Sequence, residues 1–436
     1  MWIVREANDF IMRVSALCAS AFVILGMVAS GCSHVTPAVP TIGSQSVPQL
    51  NARHGRAVPT HVLTWLILDA PGGPNIDPSK VVAWVDYTMT KQATSKIAHG
   101  LGMKTIMYTD PNRTGPGDLM HTNDESTYAH ACSGKRIQVI GKNKQLMDVY
   151  SSHLWNLWPK AVQEMISWGG GGVYDYIFED TADSVVGVKL SAMPCNFDQT
   201  RWTNETNDLD STLGYPIIYN GLAHVPPASA SPAPAIGLNP TANGGMGEDC
   251  YVGRTPTGYH YAPNWLAMEN TELTMLAQGR VFICHGDAYV QASSNDALRT
   301  YFFASFLLSY DVASSVVNTE FLTPSQVTVM PETQLVPEQP LVPAPSSIDS
   351  LAQPGGVYGR EYASCYLAGA SIGPCAVAVN PNNPKSGPAL PFPWPGKYTH
   401  TMTMKGAGAD DGGTVGTIGP APPTNMTGGT AVIAFP

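Results

Sequence analysis

From Thr60 onward the chain alternates short runs of β-branched, aliphatic and aromatic residues with longer amphipathic stretches, the pattern of a parallel sheet built from βα units. Eight runs read as strands: Val62 to Asp69, Lys104 to Thr109, Lys144 to Val149, Val173 to Phe178, Tyr215 to Asn220, Met246 to Val252, Arg280 to His285 and Val312 to Asn318. Eight such units over about 260 residues match the count and length of a TIM (β/α)8 barrel. The expected fold class is therefore α/β, a TIM-like barrel with a small C-terminal β-domain. Helices are predicted over Lys80 to His99, Ser151 to Trp168, Asn264 to Gln278 and Asn295 to Ser309. The last sets Leu298, Tyr301, Phe302, Ser305 and Phe306 at i, i+3, i+4, i+7 and i+8, a stripe that packs on the outside of a sheet as core.

The flanks of this pattern divide the chain. Arg13 precedes an apolar stretch, Val14 to Val28, too short to span a bilayer comfortably and closed by Ala29, Ser30 and Gly31 before Cys32. Residues 1–32 read as an export signal, with Met12 a possible alternative start. The Ala-Ser-Gly-Cys ending resembles a bacterial lipobox, although Ala29 stands where leucine is commonest, and implies a membrane-anchored lipoprotein acylated at Cys32. A simple secretory signal cut nearby, giving a secreted protein, is the competing reading. Residues 33–59 are rich in Pro, Ser, Thr, Val and Gln without sustained periodicity, as in a flexible tether. Residues 60–322 hold the barrel. A Pro-rich stretch over 323–354 reads as a linker or strap, and residues 355–436, rich in Gly, Thr and Val, as the small β-domain. Within the barrel, Ala223 to Gly245 is a Pro- and Ala-rich loop, either a flap over substrate or a surface insertion.

Removing residues 1–32 takes away two basic and two acidic residues, so the net charge stays at −10. Charged residues make up 13% of the chain, about half the usual fraction, with no basic stripe to neutralise phosphates. Nucleic acid is therefore excluded as an expected partner. Beyond the signal stand six cysteines, an even number in an exported chain: Cys132, Cys195, Cys250, Cys284, Cys365 and Cys375. Cys365 with Cys375 is the easiest local pair. Cys132 with Cys195 and Cys250 with Cys284 is one of several arrangements open to the rest, buried free thiols among them.

In a barrel of this kind the active site lies where strands run into their following loops. Those ends offer Asp69, Tyr108 with Asp110, Asp148, Asp180, Asn220, Glu248 with Asp249, His285 and Glu320, an acidic pocket with aromatic trim. The run from Val173 to Asp183 is the sharpest case. It follows four glycines, Gly169 to Gly172, and passes from apolar residues straight into carboxylates, which is how a barrel presents acids at its mouth without burying them unpaired.

Tyr174-Asp175-Tyr176-Ile177-Phe178-Glu179-Asp180 resembles the Phe-Asp-Gly-Ile-Phe-x-Asp strand of bacterial TIM-barrel glycoside hydrolases related to the endo-polygalactosaminidase-like and hypothetical glycosyl hydrolase families. Met147-Asp148-Val149-Tyr150-Ser151-Ser152-His153-Leu154-Trp155 is similar to their Met-Asp-Pro-x-Ser-x-x-Trp segment. Tyr358-Gly359-Arg360-Glu361-Tyr362 and Val379-Asn380-Pro381 are like pieces of their C-terminal strands. The resemblance runs in patches over about residues 60 to 385, and Glu179 and Thr181 depart from the usual apolar-Asp-Asp tip. It implies an Asp after the fourth strand and a Glu near the sixth, which fall on Asp180 and Glu248.

That pair suits glycosidic cleavage, which needs one carboxyl to protonate the leaving oxygen and an ionised one to attack or to activate water. Asp180 is expected as nucleophile or base and Glu248 as acid, with the roles interchangeable at this stage. Asp69, Asp110, Asp148, Asn220, Asp249 and His285 are candidate substrate-binding residues; Trp65, Tyr108 and Tyr251 are candidate apolar faces for a sugar, against the ordinary reading of aromatics as core. The expected partner is a polysaccharide or oligosaccharide, the expected oligomeric state a monomer, and no cofactor or metal is implied.

Other chemistries fit less well. Gly369-Ala370-Ser371-Ile372-Gly373 matches a nucleophile elbow but lies outside any βα context, with His400 ahead of Asp410 rather than after it. The eleven histidines show no His-Glu-x-x-His spacing, and Asp410-Asp411-Gly412-Gly413 lacks the alternating ligands of a calcium loop. The competing class is a non-catalytic surface lipoprotein that binds polysaccharide or a protein partner on the same barrel.

Overall fold

Eight short parallel strands close on themselves in sequence order: β1 (Leu63–Ile67), β2 (Tyr87–Met89), β3 (Lys104–Thr109), β4 (Tyr176–Glu179), β5 (Ile217–Asn220), β6 (Gly244–Glu248), β7 (Val281–His285) and β8 (Ser315–Asn318), with β8 pairing back onto β1. The chain is seen here in a computed structural model that describes residues 59–436 except 70–74, 181, 183–188, 223–238, 240, 254–258, 287–294, 319–320, 324–325, 328–329, 386 and 407–412. The expected signal over residues 1–32 with Cys32, nearly all of the expected tether, most of the Ala223 to Gly245 loop, Glu320 and Asp410 to Gly412 lie outside the described residues. Among those described, no helix is long and apolar enough to cross a membrane.

The barrel interior is packed rather than hollow. Leu63, Trp65, Tyr87, Met89, Ile106, Phe178, Ile218, Met246, Val281, Ile283 and Val316 fill it, one or two from each strand, as alternation along the strands requires. Around it stand α1 (Gln92–Gly100), α2 (Ser152–Ser167), α3 (Gln199–Ser211), α4 (Asn264–Ala277) and α5 (Asp296–Ser309). Ser151 caps α2 by accepting from the His153 N–H, and the helix buries Leu154, Trp158, Ala161 and Val162 on one stripe. Asp198 caps α3 in the same way.

Seven predicted strands coincide with barrel strands; Lys144 to Val149 does not. Lys144–Leu146 belongs instead to a small antiparallel sheet with Arg113–Thr114 and Gln138–Val139, inside the long excursion that leads from β3 to α2. The missing barrel strand is β2, which lies within the predicted helix Lys80 to His99. Only three residues long, it takes its register from β1 and β3 on either side, and the helix proper begins at Gln92.

The C-terminal sheet contains β9 (Leu335–Pro340), β10 (Val357–Leu367), β11 (Ala370–Asn380), β12 (His400–Thr401) and β13 (Thr430–Phe435), in the order β9-β10-β11-β13-β12, with Ala352–Gln353 also on β10. Part of the expected linker is thus a strand. Pro337 and Pro340 are tolerated in β9 because it is an edge, paired on one side only. The sheet lays β11 and β13 against α5, whose residues Leu298 to Ser309, apart from Thr300, are buried on every face. The predicted apolar stripe of α5 was accordingly too narrow: the helix is sandwiched between barrel and sheet. Cys365–Cys375 crosses the β10–β11 hairpin, and the Gly-x-Ser-x-Gly match runs from its turn into β11, where Ser371 pairs with Tyr366. Cys132–Cys195 ties the β3 excursion to the loop after β4, and Cys250–Cys284 ties the loop after β6 to β7. All three pairs are those named from the sequence, and they fit an oxidising compartment.

Candidate active site

The ends of β4, β5 and β6 bring Asp180, Asn220 and Glu248 to one point. Asp180 follows the last residue of β4, its N–H donating to the Thr109 carbonyl at 2.9 Å. Asn220 and Glu248 are the last residues of β5 and β6. The Asn220 side-chain amide Nδ2 donates to Asp180 Oδ1 at 3.0 Å and to Glu248 Oε2 at 2.8 Å. The sum of those distances caps the separation of the two carboxylate oxygens at 5.8 Å. A planar amide giving one N–H to each acceptor opens them by about 120°, which sets the oxygens about 5 Å apart.

Two further donors aim at Asp180. The Tyr108 hydroxyl donates to Oδ2 at 2.6 Å and Arg113 Nη2 stands 3.2 Å from the same oxygen. Tyr108 lies in register with Phe178 on β4, the rings stacked with centroids 6.1 Å apart, so the hydroxyl is delivered by a packed side chain. Burial, and after it the neighbouring Asp180 charge, push the Tyr108 hydroxyl well above its usual range, so it remains a donor. Arg113 is itself shared: Nη2 lies 2.9 Å from Asp110 Oδ2, and Lys144 from the excursion sheet stands 3.2 Å from that same oxygen. Burial raises the Asp110 pKa despite both cations, because the side chain is only 5% exposed.

The neighbouring loop is held hard. Asp249 and Tyr251 both take left-handed backbone angles, φ 59° and 55°, a conformation costing about 1 kcal/mol or more per non-glycine residue unless its surroundings impose it. The imposing elements are the Cys250–Cys284 bond and the Cys250 N–H, which donates to the His285 carbonyl at 3.0 Å. His285 pairs in register with Glu248 across β6 and β7 and meets the Trp65 ring edge-on at 5.3 Å. Strand β6 reads as weakly apolar because three of its five residues are glycine. A Cβ at Gly244 would fall 2.7 Å from the Val281 carbonyl oxygen, and one at Gly245 2.7 Å from the Leu222 side chain.

Of the residues singled out from sequence, Asp180, Glu248, Asn220 and Tyr108 meet directly, His285 and Asp249 flank Glu248, and Asp110 reaches the group through Arg113. The others are placed elsewhere. Asp69 is buried and accepts from the Lys91 N–H and the Thr94 hydroxyl at the start of α1, where a carboxylate satisfies orphan helix donors. Asp148 lies outside the barrel strands, accepting from the Tyr150 N–H at 3.0 Å ahead of α2. Trp65 is 2% exposed inside the barrel, and Tyr251 is wholly buried with its hydroxyl on Glu272 at 2.6 Å. Both aromatics are core, with no open face for a sugar. Tyr108 contributes its hydroxyl, where sequence suggested its ring. Arg113 was missed, although Asp110 and Arg113 at i, i+3 directly after a strand carry the signal of a bridged pair.

No family model matches the chain, and no curated protein matches it. Solved structures similar to it include the glycoside hydrolase domain of PelA from Pseudomonas aeruginosa (15% identity over 59% of this chain and 94% of that one, TM-score 0.38). Others are Aspergillus fumigatus Ega3 in complex with galactosamine (10% identity, 62% and 95%, TM-score 0.35) and the noncanonic maltogenic α-amylase AmyB from Thermotoga neapolitana (10% identity, 86% and 98%, TM-score 0.40). At TM-scores below 0.5 these likenesses add nothing to the barrel geometry, and the chemistry rests on the site itself.

Proposed function

We propose that the chain is an exported glycoside hydrolase that cleaves a glycosidic bond in a polysaccharide with retention of configuration, Asp180 acting as nucleophile and Glu248 as acid and then base. The observation that carries the reading is the single Asn220 amide donating to both carboxylates, which keeps the two bonded oxygens within 5.8 Å of each other and so favours the closer spacing of a double-displacement pair over the wider one of an inverting site. Asp180 accepts from three donors, one of them cationic, which is the setting of an ionised attacker. In the first step an Asp180 oxygen bonds to the anomeric carbon as the glycosidic C–O bond breaks, and the Glu248 proton passes to the leaving oxygen. In the second, water attacks that carbon, Glu248 takes its proton, and the Asp180 ester bond is released. Export, and anchoring to the bacterial cell envelope through an acylated Cys32, belong to the same reading and are supported by the lipobox pattern and the three disulfides.

Screening the purified protein against bacterial exopolysaccharides and amino-sugar polymers identifies the substrate. Asp180→Asn and Glu248→Gln should each lower kcat by about a thousandfold or more while folding is retained, and the first product seen by NMR should keep the anomeric configuration of the substrate. Near-wild-type turnover by either variant removes that residue from the mechanism, inverted product removes the double displacement, and tight polysaccharide binding with no cleavage points to the binding lipoprotein. Incorporation of labelled fatty acid that survives Cys32→Ala would remove the lipid anchor.

A further inference from the structure

Directly behind the nucleophile lies a pair of acids that the cleavage chemistry does not use. Glu179, the last residue of β4, is 0% exposed, and Asp210 on α3 is 2% exposed. By the alternation of a strand, Glu179 points away from the barrel axis toward α3 while Asp180 turns into the mouth. Each carboxyl is held from one side by an amide: Asn112 Nδ2 donates to Glu179 Oε1 at 2.9 Å, and Asn239 Nδ2 donates to Asp210 Oδ2. The oxygens left over, Glu179 Oε2 and Asp210 Oδ1, are both buried without a donor, and the two side chains lie close enough to influence each other. Two bare charges in a dry layer would repel, and a single hydrogen between the carboxyls would relieve the charge and satisfy the orphaned acceptors.

We propose that Glu179 and Asp210 share a single proton and act as a positioning pair that fixes the Asp180 tip of β4. The chain of connection is short. Glu179 is in register with Thr109 on β3 and Tyr219 on β5, and the next residue is the nucleophile. Through their amide partners the two acids gather the β3 excursion (Asn112), α3 and the segment ahead of β6 (Asn239), so separating them loosens three supports of the catalytic strand end. Burial, and then the neighbouring Asp210, raise the Glu179 pKa, and burial raises that of Asp210. The other groups facing the pair are Asp110 at the end of β3, already paired with Arg113 and Lys144, Tyr219 on β5, and Arg280, which donates to the Asn239 carbonyl. None of these supplies the missing hydrogen.

The catalytic half of the proposal rests on the hydrolase reading; the proton sharing does not, and the test separates them. Glu179→Gln places an N–H where the shared proton lay. Its kcat against pH should keep an alkaline limb about one pH unit or more above that of the wild type with KM unmoved, while Glu179→Ala should lose about tenfold or more in kcat at every pH. The thermal unfolding midpoint, which needs no substrate, should fall with rising pH in the wild type as the extra native-state proton is lost, and fall less in Glu179→Gln. Asp210→Asn makes the same exchange from α3 and serves where Glu179→Gln does not fold. Identical midpoint-against-pH curves for the wild type and a folded amide variant overturn the shared proton whatever the activity. Altered midpoint curves with an unmoved kcat profile overturn the positioning role.

Discussion

Arg113 Nη2 stands 3.2 Å from Asp180 Oδ2, so the proposed nucleophile is held by a cation that comes from the loop after β3 rather than from its own strand. The same nitrogen lies 2.9 Å from Asp110 Oδ2, which anchors the guanidinium from behind, and Lys144 stands 3.2 Å from that same oxygen. The side chain proposed as nucleophile is thereby oriented by a group that is itself tied down.

Replacing Arg113 by Met should therefore cost the transition state about 1.5 to 3 kcal/mol, a loss of roughly 10- to 150-fold in kcat/KM, since a charge-assisted hydrogen bond to the nucleophile is removed. Arg113→Lys should recover only part of it, because an ammonium cannot serve Asp110 and Asp180 with a rigid fork. Steady-state kinetics on an activated glycoside decide the matter; Arg113→Met at the wild-type rate would leave the guanidinium a structural role only.

Why the barrel was legible from sequence and parts of the site were not has a physical explanation. Runs such as Val62 to Asp69 and Arg280 to His285 are buried on both faces, so nearly every residue is apolar and the strand shows without any partner. Strand β2 shows little of this, being three residues whose pairing is set by its neighbours, and Lys144–Leu146 shows the same local pattern while its partners lie in an excursion. Asp180 and Glu248 could be placed at the barrel mouth from sequence because topology sets strand-tip acids there. Asp69 and Asp148 obey the same rule of thumb, yet each is claimed by backbone N–H groups at a helix entrance, a use that depends on where the next helix starts. Tyr251 looked like a rim aromatic until its left-handed backbone turned it into the core toward Glu272.

The Cys250–Cys284 bond should matter to catalysis more than its contribution to stability suggests. Opening loops of 34 and 10 residues, as loss of Cys250–Cys284 and Cys365–Cys375 would do, costs about 4 and about 3 kcal/mol in the chain-entropy account. Only the first bond holds the loop that follows Glu248 in its strained form. Cys250→Ala with Cys284→Ala should reduce kcat about tenfold or more at a temperature where the protein is folded, whereas Cys365→Ala with Cys375→Ala should lower the unfolding midpoint and leave kcat unmoved. Equal kcat for the two double variants would detach the β6 loop from the chemistry.

Stability should fall as pH rises from about 5 to 8, opposite to the usual acid sensitivity of folded proteins. Glu272 is pushed up to about 8 by burial, and Glu269 well above its usual range by burial and then by Glu272 beside it. Both are 0% exposed, accepting from Tyr251, Ser315 and Ser309. A carboxyl whose folded value is raised gives its full stabilisation below its unfolded value and loses it as pH climbs through the folded one, at about 1.4 kcal/mol per pH unit per group. Glu125, held down to about 2 by Arg136, works in the other direction, but it lies on the surface where solvent screens the pair. The unfolding midpoint measured from pH 5 to 8 should decline, and Glu272→Gln should flatten the decline; a midpoint rising across that range in the wild type contradicts the assignment.

A buried ion pair ties α5 to the segment that leads into the C-terminal sheet. Arg299 on α5 donates through Nε to Glu332 Oε1 at 2.9 Å and through Nη2 to Oε2, with both side chains 0% exposed, and its Nη1 donates to the Gly406 carbonyl at 3.0 Å. Burying two charges gives little net stabilisation against an apolar pair of similar volume, but removing one partner leaves the other uncompensated in a dry site. Arg299→Met should thus destabilise the fold by about 3 to 5 kcal/mol, and Glu332→Leu by a similar amount. The double variant should lose less than the sum of the two single ones, because neither charge is left facing the place of the other; Asp296, 3.9 Å from Arg299 Nη1, and the Gly406 carbonyl contribute to what remains. Denaturant unfolding of the three variants gives the coupling; strictly additive losses would mean that Arg299 and Glu332 act independently.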